Sequence, residues 1–398
     1  MSDTVTPGAV TEGGSGPLMN TYPPPAVTFV RGAGSRLWDD AGRSYLDFVG
    51  GVAVCSLGHA HPAVADAVST AARTLLHVSN LYGTTVGVEV AATLDRLIGG
   101  GGQVFFGNSG AEANECAIKL ARKWAGDGRF AVISAERSFH GRTLATLHAT
   151  GQFHRHGPFQ PLPEGFRHVP YGSLAALRAA ASAPDVAAVL LETIQGEGGV
   201  WPAPPGYLEG ARALCDELRI LLMIDEVQTG LGRTGRWFGF QHAGVRPDVV
   251  TIAKALGNGV PIGACWARSE VSAAFGPGDH ATTLGGQPLA TSAARAVLAV
   301  MEAEDAPARA ARAGARLAAG MAALPGVVDV RGSGLLLGVE LPPSRPAGAV
   351  AAAALASGLL VNPVQPTTLR LLPSLLVTDD EIDEAVAILG GVLAEVAA

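Results

Sequence analysis

Residues 220–226 read ILLMIDE: five consecutive apolar residues, Ile220 to Ile224, followed at once by the carboxylates Asp225 and Glu226. A run this short, without alternation, suits a strand buried on both faces. Five similar runs lie around it, at 103–106, 130–134, 187–191, 249–253 and 263–267. Helix periodicity is plain after the first, where Ala113, Cys116, Ala117, Leu120, Ala121 and Trp124 recur at i, i+3, i+4 and i+7. Buried strands with helical stretches between them predict an α/β fold with a large, mostly parallel sheet and right-handed crossovers. Upstream, short alternating stretches from 27 to 48 predict a hairpin that turns at Gly42. Beyond about Gly286 the chain becomes Ala-rich helix around a strand-like segment at 334–340. The expected organisation is a large α/β domain over 49–286 and a smaller α+β domain built from 19–48 and 287–398. Residues 1–18, mostly small and polar, predict a disordered arm.

The composition narrows the function classes. Hydrophobic residues make up 48% of the 398 and charged residues 16%, which excludes a disordered chain. The 52 glycines imply many tight turns rather than a coiled coil. The net charge is −7, with no basic cluster, so nucleic acid is not an expected partner. No apolar run reaches the ~18 residues of a membrane span, and no signal-peptide pattern opens the chain. Cys55, Cys116, Cys215 and Cys265 stand far apart without a C-x-x-C pair. Four reduced thiols in a cytoplasmic protein are expected.

Ligands of open α/β sheets bind beyond the carboxyl ends of the strands. Those ends carry Asn108-Ser109-Gly110, Glu192, Asp225-Glu226 and Lys254. An apolar strand ending in Asp-Glu also opens a nucleotide-hydrolase reading, which needs a glycine-rich loop ending in Gly-Lys-Ser/Thr. The only lysines are Lys119, Lys123 and Lys254; none follows Gly or precedes Ser or Thr. That reading fails. Residues 230–235 spell G-x-G-x-x-G but begin five residues past Asp225, off the strand-to-helix turn a dinucleotide needs.

With 28 basic residues and three lysines, 25 are arginine. Lys119 and Lys123 lie four apart on one helix, where solvated charge explains them. Lys254 ends an apolar strand, where an arginine would carry charge equally well but could form no imine. Asp225 lies one βα length upstream. An amine for a Schiff base and a carboxylate for a pyridine nitrogen are what pyridoxal phosphate requires. Residues 108–112 supply a helix N-terminus for its phosphate.

The chain resembles the class III aminotransferases of fold type I, and among them the acetylornithine aminotransferase group. The resemblance rests on 108–115 (NSGAEANE), 139–143 (FHGRT), 195–198 (QGEG), 222–235 (LMIDEVQTGLGRTG), 252–263 (IAKALGNGVPIG) and 280–289 (HATTLGGQPL). It implies that Lys254 holds the cofactor covalently and Asp225 pairs with its ring nitrogen. Gln228 would meet the ring hydroxyl, Phe139 and Val227 would sandwich the ring, and Ser109, Gly110 and Ala111 would take the phosphate. Thr283 would reach that phosphate from a second subunit, which makes the active unit a homodimer with shared sites. For substrates, it implies Arg142 on a carboxylate with Tyr22 and Thr282 nearby, Arg370 on the α-carboxylate of glutamate or 2-oxoglutarate, and Glu197 on Arg370 when that carboxylate is absent. The implied reaction moves the terminal amine of acetylornithine to 2-oxoglutarate, within arginine biosynthesis. Ornithine, succinylornithine, succinyldiaminopimelate or 4-aminobutyrate stand as alternative donors, and a catalytically silent cofactor binder as an alternative of another class. Thr193, Asn258, Gln287 and Ser374 depart from the usual Pro, Gly, Asn and Pro. His59 and His61 resemble a packed turn in this family, and no metal is expected.

Overall fold

The computed structural model describes residues 18–126 and 128–395. The arm expected at 1–18 lies outside them, apart from Leu18.

Seven strands form the main sheet, in the spatial order Gly102–Gly107, Gly263–Arg268, Val249–Ile252, Leu221–Asp225, Val186–Glu192, Ala131–Ala135 and Phe166–Val169. Every residue of Val186–Glu192, Leu221–Asp225 and Val249–Ile252 is buried. The reason is visible in the packing. Leu221 and Met223 point into one apolar cluster, with Cys116, Ala117 and Leu120 of the helix Gly110–Ala125. Leu222 and Ile224 point into the opposite cluster, with Val90, Leu94, Leu177, Leu214 and Leu298. With apolar layers on both faces, the interior positions of these strands are nearly all apolar, and the polar exceptions Glu192, Asp225 and Thr251 fall at or next to the carboxyl ends.

Two connections differ from the expected crossovers. Residues 226–248 hold no α-helix, only the 3₁₀ turn Gly239–His242. Most of its first part, 226–240, is buried because side chains satisfy its backbone and neighbours: Glu226 accepts from Gly239 N (3.0 Å) and Phe240 N (2.9 Å), and Arg233 donates to Leu335 O (3.1 Å) and Ser56 Oγ (3.0 Å). The G-x-G-x-x-G stretch is therefore part of a packed loop. The second difference is that Gly263–Arg268 runs antiparallel to both neighbours. An antiparallel strand needs only a short link, so residues 253–262 contain one 3₁₀ turn, Lys254–Gly257, and no helix. The other four pairings are parallel. The edge strand Phe166–Val169 went unread because it carries Arg167 and His168 and is only half-buried.

The chain ends meet beside this sheet. Phe29–Ala33, Arg36–Asp39 and Ser44–Asp47 are antiparallel, with Gly42 at φ +81° in the expected turn. Leu359–Leu360 joins them in parallel from the far end of the chain. A second antiparallel sheet runs Asp329–Ser333, Leu336–Glu340, Thr368–Leu371, Asn362–Gln365 and brings Arg370 toward the main sheet.

One pH dependence follows from the Phe166–Val169 edge. His148, His156 and His168 pack ring to ring, with centroids 5.5 Å (His148–His156) and 5.9 Å (His156–His168) apart. Burial pushes His168 down to about 4, opposed in part by backbone hydrogen bonds of His148 and Ala149 and aided by the charges of His156 and His148. The folded state thus resists a proton that the unfolded chain accepts near 6.5. Stability is fully present above that value and is lost as pH falls toward 4. At pH 5 the expected loss is about 1–2 kcal/mol. His168→Phe should flatten the dependence of Tm on pH between 7 and 5; an unchanged slope would show that the ring contributes nothing.

Candidate active site

A cavity of about 420 Å³ opens at the carboxyl ends of the parallel strands, lined by Ser109, Gly110, Ala111, Phe139, Arg142, Glu192, Glu197, Asp225, Val227, Gln228 and Lys254, within the usual range for small-molecule sites. Lys254 stands two residues past the end of the strand Val249–Ile252, at the start of the 3₁₀ turn, and is held at φ +41°. A non-glycine residue in the left-handed region is strained and commonly marks a functional position. Burial lowers the tendency of its amine to hold a proton, and Arg370 lowers it further; Glu197, Asp225 and Glu192 oppose this in part.

Asp225 ends its own strand and accepts three hydrogen bonds: from Asn114 Nδ2 (2.8 Å), His140 Nδ1 (2.8 Å) and Val227 N (3.0 Å). Such a set of donors suits a carboxylate. Asn114 is itself fixed by Thr251 Oγ1 (2.7 Å) and His140 O (2.8 Å). Neither Asn114 nor His140 was singled out from the sequence, although both stand inside quoted stretches, NSGAEANE and FHGRT.

Ser109 caps the helix Gly110–Ala125, its Oγ accepting from Glu112 N at 3.2 Å. The first N–H groups of that helix border the cavity, where they favour an anion. Glycine at 110 is required by the fit: a Cβ there would stand 2.8 Å from Val227 Cγ1. Arg142 lies over the Phe139 ring at 5.4 Å. Arg370, 2% exposed, donates to Glu197 Oε1 (2.6 Å), Gln228 Oε1 (3.1 Å) and Asn362 Oδ1 (2.7 Å). Burial alone would raise Glu197, but Arg370 outweighs it and holds the carboxyl below its usual range.

Three expected residues stand elsewhere in the single chain. Tyr22 is 81% exposed, in a segment without regular structure. Thr282 and Thr283 line a separate cavity with 79–84 and 104–106; Thr282 Oγ1 accepts from Asn108 Nδ2 at 3.3 Å. Lys119 and Lys123 are partnered by Asp279 at the surface. Asn258 adopts φ +46°, which asparagine tolerates, and ties Leu57 N (2.8 Å) and Gly58 O (3.0 Å) to the lysine turn. Gln287 reaches Val78 N at 3.0 Å and Ser374 reaches Ser56 O at 3.1 Å, whereas Thr193 Oγ1 is buried without a partner. His59 binds Asp47 at 2.7 Å, and no metal-binding cluster is present among the described residues.

An amine, a carboxylate, a helix N-terminus and an aromatic ring around one cavity fit pyridoxal phosphate, and comparison with known proteins agrees. Residues 19–393 match the family Aminotransferase class-III. The chain is 50% identical over 387 residues to the acetylornithine aminotransferase of Corynebacterium efficiens, covering 95% of each. It is 51% identical over 386 residues to that of Gloeobacter violaceus, covering 95% of this chain and 96% of the other. The ornithine aminotransferase of Toxoplasma gondii, solved with partial occupancy of pyridoxal phosphate at its active site, superposes with a TM-score of 0.91 at 35% identity, over 96% of this chain and 92% of that one. The N-acetylornithine aminotransferase of Stenotrophomonas maltophilia gives 0.82 at 38%, over 94% and 97%. The arrangement of Lys254, Asp225 and the Ser109 turn, together with these likenesses along nearly the whole chain, makes this protein a member of the class III, pyridoxal-phosphate-dependent aminotransferases.

Proposed function

We propose that the protein moves the terminal amine of N2-acetyl-L-ornithine to 2-oxoglutarate, giving N-acetyl-L-glutamate 5-semialdehyde and L-glutamate. The observation that carries the reading is the convergence of Lys254 and Asp225 in one cavity with the buried Arg370–Glu197 pair at its side. The relatives at about 50% identity supply the donor. Pyridoxal phosphate, when bound, supplies a carbonyl carbon that takes the amine and a ring that accepts electrons. Lys254 would hold it covalently and then carry a proton on Nζ. Asp225 would keep a proton on the ring nitrogen. The N–H groups after Ser109 would take the phosphate, with Thr283 of a second copy beside them in a homodimer. Gln228, Phe139 and Val227 would fix the ring. Arg142 would take a substrate carboxylate, with Tyr22 and Thr282 nearby. The four free cysteines support a cytoplasmic setting. The shared sheet of 44–47 and 359–360 supports one smaller domain made from both chain ends, set against a cofactor-binding domain over 49–286.

Two unlike partners must use one site. Glutamate places an α-carboxylate beside its reacting amine, whereas acetylornithine has only methylene there. An Arg370 facing that methylene without Glu197 would keep only the neutral acceptors Gln228 and Asn362 and lack an ionic partner, which is costly for a buried charge. Glu197→Ala is expected to speed the glutamate half-reaction and slow the acetylornithine one. Arg370→Ala should impair the 2-oxoglutarate half-reaction and spare the first. Stopped-flow absorbance of the bound cofactor reads each half separately. Equal slowing of both halves in both variants would make the pair merely structural. The same measurement with ornithine, succinylornithine, succinyldiaminopimelate and 4-aminobutyrate tests the donor: a faster half-reaction with any of them would replace acetylornithine.

A further inference from the structure

Glu192 and Asp225 are register partners on adjacent parallel strands. Their side chains therefore leave the sheet on the same face, and both line the cavity. The protein treats these two acids differently. Asp225 receives three donors. Glu192, 7% exposed, receives one, from Phe139 N to Oε2 at 3.1 Å. Its Oε1 has no hydrogen-bond partner among the described residues, and no cation pairs with it. Lys254 and Glu197 face the same cavity, but Arg370 is committed to Glu197, Gln228 and Asn362, and the His140 ring to Asp225. Two buried carboxylates side by side do not both ionise readily, and the one with fewer donors keeps the proton.

We propose that Glu192 is the un-ionised acid of this pair and donates a hydrogen bond into the cavity, to an anionic oxygen of the bound cofactor. Burial, reinforced by Asp225, raises its carboxyl well above the usual range, in keeping with the donor count. The site then holds an ionised acceptor and a neutral donor in register on neighbouring strands. A neutral Glu192 also leaves Lys254 with one negative neighbour fewer, so its amine sheds a proton more easily. The donor's target rests on the reading that pyridoxal phosphate occupies this cavity; the protonation itself does not.

Infrared difference spectra of the cofactor-free protein test the protonation. The wild type is expected to show the carbonyl band of a protonated carboxyl, shifted by deuterium exchange, and Glu192→Gln to lose it. Glu226, also buried and pushed up to about 7, can contribute a similar band, which the subtraction of the variant removes. A spectrum unchanged by Glu192→Gln would overturn the proposal. Equilibrium binding of pyridoxal phosphate tests the donor. Glu192→Gln keeps an N–H donor and should stay within about threefold of wild type, while Glu192→Leu should bind ~tenfold more weakly, the worth of one hydrogen bond to a charged group. Gln as damaging as Leu, or Leu without effect, would overturn it. If the wild type binds no pyridoxal phosphate, the proposed function fails, and the infrared result still decides the protonation.

Discussion

Lys254→Ala is expected to lower turnover by on the order of 10⁴-fold, the upper range for removing a group that transfers protons in the reacting complex. The variant loses the covalent attachment as well, and nothing near it can substitute. Lys119 and Lys123 are engaged by Asp279 at the surface, and Arg370 cannot act as a nucleophile. The fold should survive, because the lysine turn is pinned on both sides by sheet strands. Lys254→Gly should be the more stable of the two replacements, since alanine keeps the strain of φ +41° and glycine does not. Borohydride reduction of the wild-type holoenzyme, followed by digestion and mass spectrometry, should place the cofactor on Lys254. Recovery on Lys119 or Lys123 would refute the assignment.

Asp225→Ala is the second large effect. Opposite charges about 4 Å apart interact by roughly 4 kcal/mol at an effective dielectric of ~20. If that interaction acts mainly in the transition state, its loss costs on the order of a thousandfold in rate. Part of any stability loss would have another origin, because Asn114 and His140 would each lose a buried partner. Asp225→Asn separates the two, keeping an acceptor for them while removing the charge. Both variants are expected to retain bound cofactor by absorbance and to fail in single-turnover proton abstraction. Near-normal abstraction in either would contradict the role.

Much of this site was legible in the sequence because chemistry there overrides ordinary preference. A lysine at the end of an apolar strand, in a chain that otherwise uses arginine, is a costly choice, and Asp225 after five apolar residues is another. The helix at 110–125 was visible from its periodicity, and Ser109 caps it as the cap preferences require. Strand direction was not legible: the run at 263–267 is as apolar as its neighbours, and an apolar run carries no sign of whether its hydrogen bonds run parallel or antiparallel. The loop at 226–248 escaped for a related reason, since its burial depends on Glu226 and Arg233 meeting backbone groups far away in sequence. Glu192 could be seen at a strand end, but its difference from Asp225 depends on counting donors in space. The positions of Tyr22, Thr282 and Thr283 came only from resemblance, and within one chain they lie outside the cavity.

The antiparallel strand also governs the order in which the molecule can be assembled. Gly102–Gly107 sits at the sheet edge and has a single strand partner, Gly263–Arg268. Ribosomal synthesis at 5–20 residues per second delivers that partner roughly ten to thirty seconds later. Until then the segment GQVFFG lacks its strand partner, and an unpaired strand edge is a template for pairing with another chain. When residue 263 finally docks opposite Gly107, it comes so close to the Ser109 carbonyl that a Cβ would stand 2.2 Å from it. One late pairing event thus satisfies one side of that segment and sets the Lys254 turn beside the anion-binding turn.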